Sequence, residues 1–235
     1  MAAIEKVKVV VLGDSGVGKT SLNYLIAHNK VLVSPGWTVG CSVEVKLHRY
    51  KEGTQAQNTF FVELWDVGGS NGHRNTRNVF YQPTHGIILV HDLTNRKSQI
   101  NLQKWLSEIL NQDSQNPNLL HVDVDPEQFL GSTQIPILVI GTKFDLAEEK
   151  QRNNQFRRLA SSIAEQCGAD EIFVNCHLPR FPSYNYTYID SYNHILCGRL
   201  CLREALKVAT ITYKSSNAAS AEIALSNIVR LRIWD

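Results

Sequence analysis

No stretch of this 235-residue sequence is apolar for long enough to cross a membrane. The first apolar run, residues 9–12, is also too short to be the core of a secretory signal peptide. Position 2 is Ala rather than the Gly that myristoylation needs, and no cysteine stands near enough to the C-terminus for prenylation. We therefore expect a cytoplasmic protein without a lipid anchor of its own.

Neither sign of charge dominates the chain. Lys and Arg total 24 against 22 Asp and Glu, so the net charge of +2 gives no indication of nucleic-acid binding. Five cysteines are an odd number without secretory context, which favours free thiols in a reducing compartment. With 43% hydrophobic residues the chain also lacks the composition of a disordered protein, and its length allows one large domain or a domain with an appendage.

Short apolar strands alternate with helical patterns over about the first 175 residues. The predicted strands are 8–12, 43–48, 59–66, 86–90, 135–140 and 172–174, and the predicted helices are 19–29, 98–111 and 153–166. A turn-like link at 51–58 indicates that the second and third strands form a hairpin. We expect an α/β sheet, and such sheets bind ligands at the carboxyl ends of their strands.

A glycine-rich segment between the first strand and the first helix matches the phosphate-loop pattern G-x-x-x-x-G-K-[ST]. It reads Gly13-Asp14-Ser15-Gly16-Val17-Gly18-Lys19-Thr20. The glycines let backbone N–H groups turn toward phosphate oxygens, Lys19 adds a cation, and the Thr20 hydroxyl is a ligand suited to Mg²⁺. The pattern predicts a phosphate-binding site but does not identify the nucleotide.

Three further segments narrow the choice. They are Trp37-Thr38-Val39-Gly40, Trp65-Asp66-Val67-Gly68-Gly69 and Thr142-Lys143-Phe144-Asp145. In that order they resemble the first switch, the D-x-x-G segment and the guanine-binding segment of Ras-like GTPases. The phosphate loop together with Thr38-Val39-Gly40 is similar to the Rab branch, in particular to its Rab-like members. The resemblance covers residues 4 to about 180.

This resemblance implies a Ras-like G domain, a three-layer P-loop NTPase fold with a mostly parallel six-stranded sheet and helices on both faces. It implies that GTP or GDP is bound with Mg²⁺, that Thr20, Thr38 and, through a water, Asp66 hold the metal, and that the Gly69 amide contacts the γ-phosphate. The nucleotide would contact Gly13, Asp14, Ser15, Gly16, Val17, Gly18, Lys19, Thr20, Ser21, Thr142, Lys143, Phe144, Asp145, Asn175 and Cys176. The catalytic group would be Lys19, Thr38, Gly69 and Ser70. The resemblance also implies protein effectors and regulators as partners, and homodimerisation.

Ser70 departs from the family pattern. Ras-like GTPases have Gln here, whose amide orients the attacking water, and a serine hydroxyl is too short for that role. We therefore expect slow intrinsic hydrolysis, unless Asn71, His73 or a residue of a partner substitutes. Arg74 and Arg77 follow and could be catalytic cations, but a solvated or partner-facing position is the interpretation that the sequence favours.

The switch surface departs from the Rab pattern as well. After Gly40 this chain has Ser42 and Val43, where typical Rab proteins have an acidic residue and Phe. Because the surface is built from Val43, Trp65 and Phe80, we expect it to differ from the usual effector surface of Rab proteins.

Two regions exceed what the nucleotide site requires. Residues 113–134 form an unusually long connection, whose acidic stretch at 121–127 is better explained as a solvated loop than as a calcium site. We predict a GTP-binding domain at 1–180 and a C-terminal extension at 181–235 that contains the closing helix, with 181–213 either packed or a variant insert. Within it, His194, Cys197 and Cys201 could share a helix face, where buried thiols are favoured over a zinc site.

Three functions remain open on sequence grounds. The first is a GTP-binding switch that regulates protein partners in signalling or trafficking. The second is a GTP-bound scaffold or dimerisation module that hydrolyses little and regulates other small GTPases, which Ser70 favours. The third, a P-loop ATPase or kinase, is disfavoured by the segment 142–145.

Overall fold

A computed structural model describes residues 4–55, 57–110, 135–152 and 162–178. Six strands of this part of the chain form one sheet, in the order β2-β3-β1-β4-β5-β6. The strands are β1 Glu5–Leu12, β2 Cys41–Tyr50, β3 Asn58–Val67, β4 Gly86–Asp92, β5 Ile137–Thr142 and β6 Asp170–Phe173. Strands β2 and β3 are antiparallel, as the predicted hairpin requires, and the other neighbouring strands are parallel. The mostly parallel six-stranded sheet is therefore confirmed.

Five α-helices and one 3-10 helix accompany the sheet in the described residues. The α-helices are α1 Lys19–His28, α2 Arg96–Ile100, α3 Leu102–Leu110, α4 Phe144–Arg152 and α5 Ser162–Cys167, and the 3-10 helix is Asn71–Phe80. The predicted helix at 98–111 is thus two helices separated at Asn101. Of the predicted helix at 153–166, residues 153–161 lie outside the described part. Helix α4 and the 3-10 helix were not predicted, because neither carries an apolar stripe.

Helix α3 covers the sheet with a continuous apolar face. Its buried residues are Leu102, Trp105, Leu106 and Ile109, which recur at helical spacing. They pack with Leu12, Leu89 and Val139, which come from β1, β4 and β5. Every residue of β4 is buried, as expected of a central parallel strand covered on both faces.

The sheet brings three of the four sequence motifs to one edge. Val11 of β1 lies beside Asp66 of β3, and Asp92 of β4 lies beside Thr142 of β5. Because parallel strands end at the same edge, the phosphate loop and the segments that begin at Asp66 and Thr142 are neighbours there.

None of the helices formed by the described residues combines the length and the apolar character that a membrane crossing requires. The described part also contains no cluster of His, Cys, Asp and Glu side chains suited to a metal ion. The predicted insertion at 113–134, the extension at 181–235 and the group of His194, Cys197 and Cys201 lie outside the described residues, so the predictions made for them remain predictions.

Candidate nucleotide-binding site

The phosphate loop connects the buried strand β1 to helix α1. Gly18 has a φ of 95°, a left-handed conformation that favours glycine, and it caps the N-terminus of α1. Its carbonyl accepts a hydrogen bond of 2.9 Å from the backbone N–H of Leu22. Residues 13–20 therefore approach the positive end of the α1 dipole, where anions bind most readily. Ser21 follows within the first turn of the helix and is half-buried.

The side chain of Lys19 turns back into the phosphate loop. Its side chain is 6% exposed, and Nζ donates to the carbonyl oxygens of Gly13 at 2.8 Å and Asp14 at 2.9 Å. Burial lowers the pKa of Lys19, while the carboxylates of Asp66 and Asp14 act in the opposite direction. The ammonium group is thus a desolvated cation, which attracts an anion more strongly than an exposed lysine does.

The side chain of Asp14 turns away from the loop interior, toward helix α3. Its Oδ2 accepts a hydrogen bond of 2.7 Å from Asn101 Nδ2, and its Oδ1 accepts one of 2.8 Å from Trp105 Nε1. Asp14 therefore ties the phosphate loop to α3, and it is available to a nucleotide chiefly through its backbone.

Three side-chain oxygens from three separate segments converge beside the loop. Thr20 Oγ1 lies 3.0 Å from Thr38 Oγ1 and 2.5 Å from Asp66 Oδ2, and Thr38 Oγ1 lies 3.0 Å from the same carboxylate oxygen. Asp66 is buried, and its other oxygen, Oδ1, has no hydrogen-bond partner among the described residues. Burial raises the pKa of Asp66, while hydrogen bonds from the threonines and the charge of Lys19 oppose that shift.

This oxygen cluster (Thr20, Thr38 and Asp66) fits Mg²⁺. Oxygen ligands at 2.0–2.1 Å in an octahedron are separated from their neighbours by about 2.9 Å. The spacing of 3.0 Å between the two threonine hydroxyls agrees with that value. The unpartnered Asp66 Oδ1 leaves an acceptor that can hold a metal-bound water.

The second switch segment, residues 66–70, packs directly on the phosphate loop. A Cβ atom at Gly69 would lie 2.5 Å from the backbone nitrogen of Ser15 and 2.6 Å from the carbonyl oxygen of Gly13. Only glycine allows this approach. The neighbouring Gly68 donates its N–H to the carbonyl of Gly40 at 2.9 Å, so the two switch segments also contact each other.

Ser70 lies where the 3-10 helix begins, but its side chain makes no capping hydrogen bond. The side chains of Asn71 and His73, which we considered as substitutes for a catalytic Gln, lie outside the described residues. Arg74 is 68% exposed, in agreement with a solvated position. Arg77 is 2% exposed, so the expectation of a solvated or partner-facing Arg77 is wrong. The polar pattern of this segment gave no sign that one of its arginines is buried.

The guanine-binding segment follows β5 at the same sheet edge. The Thr142 hydroxyl donates to the carbonyls of Val17 and, at 3.0 Å, His91, which joins this segment to the phosphate loop. Lys143 has a φ of 57°, and its Nζ lies 2.7 Å from Asp92 Oδ2. Burial alone would raise the pKa of Asp92, but hydrogen bonds from Lys143 and Thr94 lower it overall.

Asp145 and the turn after β6 lie together at the end of this segment. Asp145 Oδ1 is buried and has no hydrogen-bond partner among the described residues. Burial, together with the nearby charge of Asp145, raises the pKa of Cys176 to about 12. The preceding Phe144 ring stacks parallel to Phe173, with ring centroids 6.3 Å apart. The structure thus brings Cys176 of this turn near Asp145.

Several neighbours of the site were not found from the sequence. The phosphate loop is held by Asn101 and Trp105, which bond Asp14. Arg77 is held by Glu108, and Lys143 is held by Asp92 at the end of β4. Nothing in the sequence indicates that the partners of Asp14 stand about 90 residues later.

Comparisons of the sequence with known proteins show the family of this chain. The family model of the Ras of Complex (Roc) domain of DAPkinase matches residues 8–123. Rab-like protein 3 of Mus musculus is 52% identical over 186 residues, which cover 77% of this chain and 78% of the relative. Rab-like protein 3 of Homo sapiens is 51% identical over 187 residues, with the same two shares. The small GTPase LIP1 of Arabidopsis thaliana is 38% identical over 153 residues, which cover 62% of this chain and 43% of the relative. The chain therefore belongs to the Rab-like small GTPases.

Proposed function

We propose that this protein binds GTP and GDP together with Mg²⁺ and acts as a molecular switch for protein partners. One observation carries the proposal: the phosphate loop, the first switch segment (residues 37–40) and the second switch segment each contribute an oxygen to the cluster of Thr20, Thr38 and Asp66. A ligand bound at that cluster holds both switch segments to the loop. Loss of the γ-phosphate would weaken this link and release Thr38.

The residues of the site have separate tasks in this proposal. Thr20 and Thr38 would hold Mg²⁺ directly and Asp66 through a water, and the metal would supply positive charge against the β- and γ-phosphates. Lys19 places a desolvated cation against the same phosphates. Gly69 packs on the phosphate loop, and its backbone N–H would bond a γ-phosphate oxygen.

Guanine specificity would depend chiefly on Asp145. A carboxylate only accepts hydrogen bonds, and the Watson–Crick edge of guanine presents two adjacent N–H donors, whereas that of adenine does not. The buried, unpartnered Oδ1 of Asp145 is such an acceptor. Cys176 would present its backbone N–H to the guanine oxygen. This arrangement favours GTP over the alternative of a P-loop ATPase or kinase.

Hydrolysis would be slow, because Ser70 stands where Ras-like GTPases have the Gln that orients the attacking water. Ser70 follows Gly69 directly, but its hydroxyl is several bonds shorter than a glutamine amide. The same observation favours a second candidate, a GTP-bound scaffold or dimerisation module that regulates other small GTPases and scarcely hydrolyses GTP.

Protein partners would bind at the exposed apolar residues of the first switch segment and the start of β2. Trp37 is 90% exposed beside Thr38, and Val39 and Val43 extend the apolar surface along the chain into β2. Exposed apolar patches on soluble domains mark protein-binding sites. Effectors that read this surface would sense the position of Thr38. We further propose a cytoplasmic location. We also propose homodimerisation, which light scattering on the purified protein in each nucleotide state would test.

The decisive experiment measures the nucleotide content of the purified protein and its single-turnover GTP hydrolysis, beside the variant Ser70→Gln. A switch should contain guanine nucleotide, hydrolyse slowly, and gain at least about tenfold in rate when Gln restores water positioning. A scaffold would retain GTP without measurable turnover in either form. Absence of guanine nucleotide, with no binding on addition of GTP, would contradict both.

A further inference from the structure

The 3-10 helix Asn71–Phe80 contains a buried arginine, Arg77. Among the residues of this helix whose side chains are described, Arg77 is fully buried, Phe80 is half-buried and the others are exposed. Phe80 packs against the edge of the hydrophobic core, and the exposed side chains add little further apolar contact. The contacts of Arg77 and Phe80 therefore hold this helix, and those of Arg77 also reach the switch segment that precedes it.

The guanidinium group of Arg77 contacts helix α3 on one side. Its Nη2 lies 3.0 Å from Glu108 Oε2, and its charged end stacks 4.2 Å from the centre of the Trp105 ring. Tyr81 donates a hydrogen bond of 2.7 Å to the other carboxylate oxygen of Glu108, so that the carboxylate is itself held in position. The ion pair with Glu108 and the aromatic face of Trp105 fix the position of this buried cation, although its Nε has no hydrogen-bond partner among the described residues.

The same group contacts the second switch segment on its other side. Arg77 Nη1 is shared between the carbonyl oxygens of Gly68 and Ser70, each at 3.4 Å. These two residues flank Gly69, whose N–H is assigned to the γ-phosphate. Arg77 thus joins the backbone on both sides of Gly69 to Trp105 and Glu108.

The path continues from α3 to the phosphate loop. Trp105, on which Arg77 stacks, donates its indole N–H to Asp14 Oδ1 at 2.8 Å. The phosphate loop, α3 and the second switch segment are therefore connected by side chains of the protein itself. The first switch segment also reaches this network, through the Thr38 hydroxyl and the Gly40 carbonyl, but Trp37 and Val39 on either side of Thr38 are largely exposed.

We propose that Arg77 is a positioning residue that holds the second switch segment in place whether or not a γ-phosphate is present. Nucleotide-dependent movement is then confined mainly to residues 37–40 of the first switch segment. This proposal rests on the proposed function, because it concerns the two nucleotide states of the same site.

Hydrogen exchange, read by mass spectrometry on peptides, tests the proposal in the full chain loaded with GDP or with a non-hydrolysable GTP analogue. In the wild type, a peptide that covers residues 66–72 should exchange at similar rates, within about twofold, in both states. A peptide that covers residues 37–40 should exchange faster in the GDP state. Arg77→Gln should raise exchange at 66–72 by about tenfold in the GDP state and much less in the analogue state, where the γ-phosphate still holds Gly69.

Arg74→Gln is the matched control. Arg74 is also paired with Glu108, at 3.6 Å, but it is exposed, and no hydrogen bond joins it to the switch backbone among the described residues. Its replacement should leave exchange at 66–72 unchanged. Arg77→Lys keeps the cation without the planar fork and should restore part of the protection in the GDP state.

Glu108→Gln covers the case in which Arg77→Gln does not fold, because it weakens the anchor of Arg77 without removing the arginine. It should raise exchange at 66–72 selectively in the GDP state. The proposal is overturned if the wild-type segment exchanges more than about tenfold faster with GDP than with the analogue. It is also overturned if Arg77→Gln accelerates exchange equally in both states and equally in strands β1 and β4, which a purely structural role would produce.

Failure of the proposed function has a different signature. A chain that binds no guanine nucleotide would refute the switch. In that case Arg77 is still tested on the nucleotide-free protein, where Arg77→Gln should accelerate exchange at 66–72 and Arg74→Gln should not. Equal exchange in these two variants would refute the positioning role independently.

Discussion

Replacing Asp14 by Ala should destabilise both the domain and its phosphate loop. The carboxylate accepts hydrogen bonds of 2.7 Å from Asn101 and 2.8 Å from Trp105, and the indole of Trp105 lies in the core. Hydrogen bonds to a charged group contribute about 1.5–3 kcal/mol each. Because Asp14 is only half-buried, we take the lower value for both, about 3 kcal/mol in total. For a domain of this size that corresponds to a fall in Tm of about 6–12 °C.

Thermal unfolding followed by circular dichroism in excess GDP measures this effect, and release of a fluorescent GDP analogue measures its consequence for the loop. We expect Asp14→Ala to lower Tm by the amount given above and to accelerate release by about tenfold or more, since the loop loses its connection to α3. Asp14→Asn keeps one acceptor oxygen and should lose about half as much stability.

Glu52→Ala is a suitable control, because Glu52 forms an ion pair with Arg49 in which both side chains are mostly exposed. Such pairs contribute little, so Tm should change by less than about 2 °C. If Asp14→Ala behaves like Glu52→Ala, the connection between the phosphate loop and α3 has no energetic importance and the reasoning is wrong.

Three further predictions concern the metal, the first switch and the nucleotide pocket. Chelation of Mg²⁺ should accelerate release of a fluorescent GDP analogue from the wild type, and Thr20→Ala should remove most of that acceleration. Equal acceleration in the wild type and in Thr20→Ala would exclude Thr20 as a metal ligand. Trp37 should be quenched by acrylamide to different extents in the GDP and GTP-analogue states, and Trp37→Phe should abolish this difference, whereas its persistence would place the change elsewhere. Burial raises the pKa of Cys176 to about 12, so its thiol stays protonated at pH 8. We expect this thiol to alkylate far more slowly than in the unfolded chain, at a rate that rises about tenfold per pH unit. Fast alkylation at pH 8 would contradict the burial of Cys176.

The sequence was sufficient for the features that depend on local patterns. The segment at Thr38 could be predicted from its similarity to the first switch of Ras-like GTPases. The phosphate loop and the segments at Asp66 and Asp145 could also be predicted, because each of these follows a short apolar strand. The sheet then brings these segments to one edge without further information. Helix α4 could not be predicted, since among its residues with described side chains, 144–148, Ala147 alone is fully buried and no apolar stripe results.

The contacts that connect the motifs could not be predicted. Asp14 and Trp105 are far apart in the chain, and Arg77 stands in a polar segment that resembles a solvated loop. Their pairing follows from how α3 packs across β1 and β4, which depends on the whole core. Long-range side-chain contacts of this kind have no signature in a single sequence.

The central claim is that a guanine nucleotide occupies this site and that Asp145 recognises it. Displacement of a fluorescent GDP analogue from the wild type and from Asp145→Asn, by GTP, ATP and xanthosine triphosphate, tests it most directly. We expect GTP to compete at least about 100-fold better than ATP with the wild type, and xanthosine triphosphate to gain on GTP by about 10–100-fold in Asp145→Asn, since the charged acceptor has been replaced by an amide. Equal competition by ATP and GTP, or an unchanged preference in Asp145→Asn, would contradict the account.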